Sequence, residues 1–91
     1  MHAVVARVTI SDFESARQNL QEQVVPRVRQ APGFVAGYWT RSGEGADGLS
    51  MLLFESEDNA RSAADMVREG AERIAAVTLE SVEIREVVAH A

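Results

Sequence analysis

The sequence contains no cysteine and no lysine. Without cysteine there is no disulfide, no thiolate nucleophile and no cysteine metal site, which suits a reducing cytoplasm. Without lysine, Schiff-base chemistry through a side-chain amine is excluded. All nine basic residues are therefore arginine, against fourteen acidic residues, for a formal charge of −5. Phosphate contacts need clustered basic groups, and these arginines are scattered among acids, so no nucleic-acid partner is expected. Long apolar runs are also missing: no stretch approaches the roughly 20 residues of a membrane span. The N-terminal MHAVVARVTISD lacks the basic start and small-residue cleavage site of a signal peptide. A cytoplasmic protein with no membrane partner is expected.

What is present reads as one domain over residues 1–91, with 46% hydrophobic and 25% charged residues, ordinary for a folded globular chain. A chain this short hides only about two-thirds of the surface its unfolded form exposes, so its core is thin, and a second copy would enlarge it.

From Ala3 to Ile10 the letters AVVARVTI are β-rich, with Val4, Ala6, Val8 and Ile10 on one apolar face. Ser11-Asp12-Phe13-Glu14 reads as a capping box, the Ser11 hydroxyl accepting from the Glu14 amide. The helix it opens should run to about Gln30, with Phe13, Ala16, Leu20, Val24 and Val28 at helical spacing. Pro26 should kink or divide it, and Pro32-Gly33 should end it. Strand two is expected over Phe34 to Arg41, strand three over Leu49 to Glu55, joined by the polar turn SGEGADG. A second helix should start near Ser56 and carry Ala60, Ala63, Ala64, Val67 and Ala71 inward. The last strand is expected over about Thr78 to Ala89, with Val82, Ile84 and Val88 on one face.

This β-α-β-β-α-β order predicts an α+β, ferredoxin-like antiparallel sheet with both helices on one face. The second strand is apolar on both sides: Phe34, Ala36 and Tyr38 alternate with Val35, Gly37 and Trp39. On a monomer, the face away from the helices would expose more apolar surface than monomers usually tolerate. Self-association into a homodimer through that open face is the expected remedy.

The element order, the proline-interrupted helix in VVPRVRQAPGF, the PGF-x3-YW lead-in to strand two and LLFESEDNA after strand three resemble the dimeric α+β barrel superfamily. Within it, the antibiotic biosynthesis monooxygenase-like domains are the most similar branch. The resemblance covers about Ala3 to Ala89. It implies a homodimer with sheets packed face to face and a cavity between sheet and helices in each subunit. The superfamily includes cofactor-independent oxygenases of polycyclic phenols, haem-degrading enzymes, isomerases and proteins without known activity. In the oxygenases, a Trp, Tyr, Asn and Arg surround the cavity; in the haem-degrading branch, a His, Asn and Trp hold the haem. Here neither Asn19 nor Asn59 falls in a strand, and His2 and His90 lie at the chain ends, so the haem pattern is unmatched and the oxygenase set partial.

The resemblance implies a small aromatic ligand, no cofactor and no metal. Trp39 and Tyr38 are the candidates to hold a ring, and Arg7 the candidate to steady developing negative charge. Trp39 reads equally as a packing or interface anchor. Neighbours on one strand point to opposite faces, so Tyr38 and Trp39 share a cavity only if the strand bulges; which of them faces the helices is left open. Met51, Phe54 and Phe34 are candidate substrate contacts that read also as core. A turn centred on Gly45 would place Trp39 across from Met51, Tyr38 across from Leu52, and Phe54 near Ala36. Pairing of first and last strands would bring Arg7 near Arg85 and Glu86, or Glu83, where an ion pair is the structural alternative. The same pairing would set His2 beside His90. Arg41, at the mouth of the turn, reads as solvated. No nucleophile-base-orienter trio is visible, and SGEGADG lacks the lysine of a phosphate loop. The alternative to an enzyme is a dimeric ligand-binding or interaction module.

Overall fold

The apolar stripe Val4, Ala6, Val8 and Ile10 gives the first strand one face to bury, and that strand lies inside the sheet with both flanks paired. The computed structural model describes every residue except Glu44, which lies in the expected turn. In it β1 (His2–Ile10) pairs on one side with β3 (Asp47–Phe54) and on the other with β4 (Val77–Glu86), while β2 (Phe34–Arg41) completes the sheet beside β3. The order is β2-β3-β1-β4 and every neighbouring pair is antiparallel. The fold is ferredoxin-like α+β.

The first helical segment is divided, and its sequence explains where. α1 (Phe13–Asn19) leads into a π-helical turn, Leu20–Val24, and then into α2 (Val25–Arg29). Pro26 has no amide to give the Glu22 carbonyl, and its ring crowds that carbonyl. The backbone widens one turn earlier, so the Val25 amide donates to the Leu20 carbonyl, five residues back.

The cap differs from the expected box by one residue. Asp12, not Ser11, caps α1, its carboxylate accepting from the Ser15 amide at 3.2 Å. Ser11 instead donates its hydroxyl (3.1 Å) and its amide (2.8 Å) to the Ala76 carbonyl, tying the start of α1 to the start of β4. α3 (Glu57–Glu72) begins as expected: Ser56 caps it by accepting from the Asn59 amide at 3.1 Å.

One face of the sheet meets the helices. Val4, Leu52 and Phe54 pack there against Val28 of α2 and Ala60, Ala63 and Ala64 of α3. The alanines let α3 lie close to the strands. Phe34 meets Phe54 edge to face, with ring centroids 5.8 Å apart.

The pairing of β2 with β3 departs from the symmetric expectation. Trp39 lies opposite Ser50 and Tyr38 opposite Met51, while Phe54 lies opposite Phe34 rather than near Ala36. A bulge between Phe34 and Ala36 absorbs the extra residue. Because of it, Phe34 and Trp39, which strict alternation would part, both face the helices. Tyr38 and Met51 therefore meet on the open face.

Along β1 and β4 the register sits four residues from the expected one, with His2 opposite Glu86 and Arg7 opposite Ser81. β4 ends at Glu86 and carries its own irregularity between the partners of Arg7 and Val8. His90 and Val88 lie beyond it, and Val88 is exposed rather than aligned with Val82 and Ile84.

Candidate functional site

The geometry of Trp39 begins two residues upstream. A side chain at Gly37 would stand 3.0 Å from Leu52 and 3.1 to 3.2 Å from the Trp39 ring. Glycine there lets the indole lie back over its own strand. Trp39 packs on the helix face against the edge of the core.

Beyond that ring lies a cavity of about 790 Å³, a volume suited to a small ligand. Its sheet wall includes Ala6, Val8, Ile10, Leu52, Val77 and Leu79 besides Trp39. The first helical segment adds Leu20, Val24 and Val28; α3 and the turn after it add Met66, Val67, Ala71 and Ile74. Space remains because Ala6, Gly48 and Ser50 are too short to reach the helices. Polar groups are few. Ser50 lies on the sheet wall, Asn19 on the helical wall, and the exposed Glu22, Gln23, Arg27 and Arg73 also contribute to the lining. Among the described residues neither Arg27 nor Arg73 has a carboxylate within ion-pair distance.

Of the six residues singled out in the sequence, Trp39 alone lines this cavity. Tyr38 and Met51 are on the open sheet face, 61% and 41% exposed. Arg7 is on that face too, because Val4, Ala6 and Val8 of the same strand take the helix side. It reaches Asp47 at 3.5 Å with both side chains about half exposed, so its ion partner comes from β3 and not from β4. Arg85 pairs instead with Glu83 of its own strand at 2.7 Å. Phe54 is fully buried, and Phe34 packs against it in the core beside the cavity. Arg41 is not simply solvated: its guanidinium stacks 3.5 Å from the centroid of the Phe13 ring.

Asn19 lines the cavity although the sequence places it outside any strand. Its signal was present: it falls three residues after Ala16 and next to Leu20, on the apolar stripe of the first helix. His2 lies away from the cavity, with its Nε2 3.7 Å from Glu57, and the expected His2–His90 pairing does not form because of the register. Among the described residues no group of three or more His, Asp or Glu side chains is arranged to hold a metal ion. No helix there is long and apolar enough to cross a membrane.

No protein-family model matches the chain, and no curated protein matches it in sequence. Solved structures do. A variant of SnoaB, a cofactor-independent oxygenase from Streptomyces nogalater, superposes with a TM-score of 0.75 at 15% identity, over 98% of this chain and 94% of that one. A dimeric ferredoxin-like protein from an uncultured marine organism gives a TM-score of 0.63 at 10% identity, over 99% and 97%. A monooxygenase from the gene ActVA-Orf6 of Streptomyces coelicolor, in complex with Nanaomycin D, gives 0.63 at 16% identity, over 99% and 92%. The chain shares their ferredoxin-like α+β fold, as the sequence resemblance implied.

Proposed function

We propose that the protein is a cofactor-independent monooxygenase-like homodimer of the cytoplasm that holds a small aromatic molecule between sheet and helices. The observation that carries this reading is the apolar cavity with the only Trp of the chain in its wall. The shared fold with two oxygenases supports it. A flat ring stacks on the Trp39 indole, while the aliphatic walls exclude water around it. An electron-rich phenol supplies its own electrons to O₂, so the protein's work is to position the ring and stabilise the phenolate. Arg27 and Arg73 supply positive charge at the cavity, a role the sequence suggested for Arg7, which faces the other way. The dimer forms through the open face, where Val35, Tyr38, Leu49 and Met51 are exposed together; the dimeric neighbour of the same fold supports this.

A second reading, a ligand-binding dimer without catalysis, is favoured by one feature: among the described residues no histidine lines the cavity and Glu22, the one carboxylate there, is exposed. Oxygen uptake with a panel of electron-rich phenols separates the two. Turnover in the wild type that falls at least about tenfold in a folded Trp39→Phe variant is expected, the equivalent of about 1.4 kcal/mol of lost stacking. Phenol binding without oxygen uptake would leave the binding module; turnover unchanged in the variant would remove Trp39 from the site.

A further inference from the structure

In a chain with fourteen acidic residues against nine arginines, carboxylates are in surplus and an arginine readily finds one. Arg7, Arg17, Arg61, Arg68 and Arg85 each have a carboxylate oxygen between 2.7 and 3.6 Å away, and Arg41 lies over the Phe13 ring. Among the described residues Arg27, Arg29 and Arg73 have none within ion-pair distance. Two of those three, Arg27 of α2 and Arg73 at the end of α3, line the cavity, and both are exposed. The one carboxylate of the lining, Glu22, accepts from the Gln18 amide at 3.4 Å. Positive charge is thus left over beside an apolar cavity in a protein that is acidic as a whole. An apolar cavity takes up an apolar body, and a free guanidinium matches the planar geometry of a carboxylate.

We infer that the cavity binds an amphiphilic anion: an apolar body lies between sheet and helices, and its carboxylate is drawn to Arg27 and Arg73. This rests on the reading of the cavity as a binding site and adds the charge of the guest. That charge is present before any reaction, unlike the negative charge that develops on a phenol as it is oxidised. The apolar body is a ring or a chain: Trp39 suits the first, and the Val, Leu and Ile side chains of the walls suit both. Arg27 and Arg73 also stand at helix C-terminal ends, where positive charge complements the dipole, so affinity and stability are read separately.

The test follows the fluorescence of the single Trp39 with two acid–ester pairs at neutral pH: octanoate with methyl octanoate, and 2-naphthoate with methyl 2-naphthoate. Within a pair the apolar body is the same. Comparing the acid-to-ester affinity ratio between wild type and variant cancels the different tendency of each probe to leave water. In the double variant Arg27→Gln, Arg73→Gln the ratio should fall about tenfold, about threefold for each exposed arginine. In the wild type it should fall as salt is raised. Glu22→Gln should raise it, because a like charge is removed. The single arginine variants give the same reading if the double variant fails to fold. A ratio unchanged in folded arginine variants, with or without a lower melting temperature, would overturn the anion and make the two arginines partners of the helix ends only. If the naphthyl ester bound with no arginine-dependent gain for the acid, the aromatic cavity would stand without the anion. If octanoate alone responded, the anion would stand without the ring. Silence from all four probes would remove both.

Discussion

Tyr38→Glu tests the dimer at the point where the open face is most exposed. Tyr38 keeps 61% of its surface in the isolated subunit and lies opposite Met51, itself 41% exposed. A tyrosine presents about 200 Å², so about 120 Å² is available for burial, worth about 3 kcal/mol at ~25 cal/mol per Å². In a two-fold dimer the residue enters twice, which gives about 6 kcal/mol, or about four powers of ten in Kd. Two carboxylates forced into an apolar seam add a desolvation penalty in the same direction. The folded subunit should tolerate the change, because the position is solvated when the subunit is alone. Sedimentation across a dilution series, with circular dichroism to confirm folding, reads both quantities. The wild type should sediment as a dimer, and the variant as a folded monomer at the same concentration. A variant that dimerises as tightly as the wild type, or a wild type that remains a folded single subunit at every concentration, would refute the argument.

Phe54→Ala removes a ring with no solvent exposure and leaves the edge of Phe34 without its partner. It should cost about 3–5 kcal/mol, seen as a lower urea midpoint with the slope unchanged. A midpoint within error of the wild type would mean that this part of the core can collapse around the gap. Gly33→Ala places a methyl group on a backbone with φ +74°, 2.3 Å from the Asn59 Oδ1, which accepts from the Ser56 hydroxyl at 2.7 Å. Both the strain and the disturbed start of α3 should lower stability by about 1–3 kcal/mol; an unaltered melting temperature would show that the lead-in to β2 relaxes freely.

Much of the fold was legible because its signals are local. Alternation in AVVARVTI, the proline in the first helix, Pro32-Gly33 and the alanine stripe of α3 each act within a few residues. The double apolar character of strand two was also a sound guide, since the structure places Trp39 against the helices and Tyr38 on the open face. The site was less legible. Arg7 stood out in the sequence as a charge among apolar neighbours, yet the face it occupies follows from which side of β1 the helices cover. Met51 was assigned by a symmetric turn, and a shift of one position carried it to the opposite face. Asn19 was set aside in the sequence because it does not fall in a strand, yet the structure puts it in the helical wall of the cavity.

The chain by itself determined the kinds of element, their order and the apolar character of both sides of the second strand. These follow from periodicity and from the backbone limits of proline and glycine, which hold whatever the rest of the molecule does. Tertiary structure alone decided the strand registers, the bulge that turns Phe34 and Trp39 to the same side, and the cavity beside Trp39. Pairing across long loops depends on how all the surfaces settle together, and with a side-chain repeat of two, one residue of slippage moves every group to the other face.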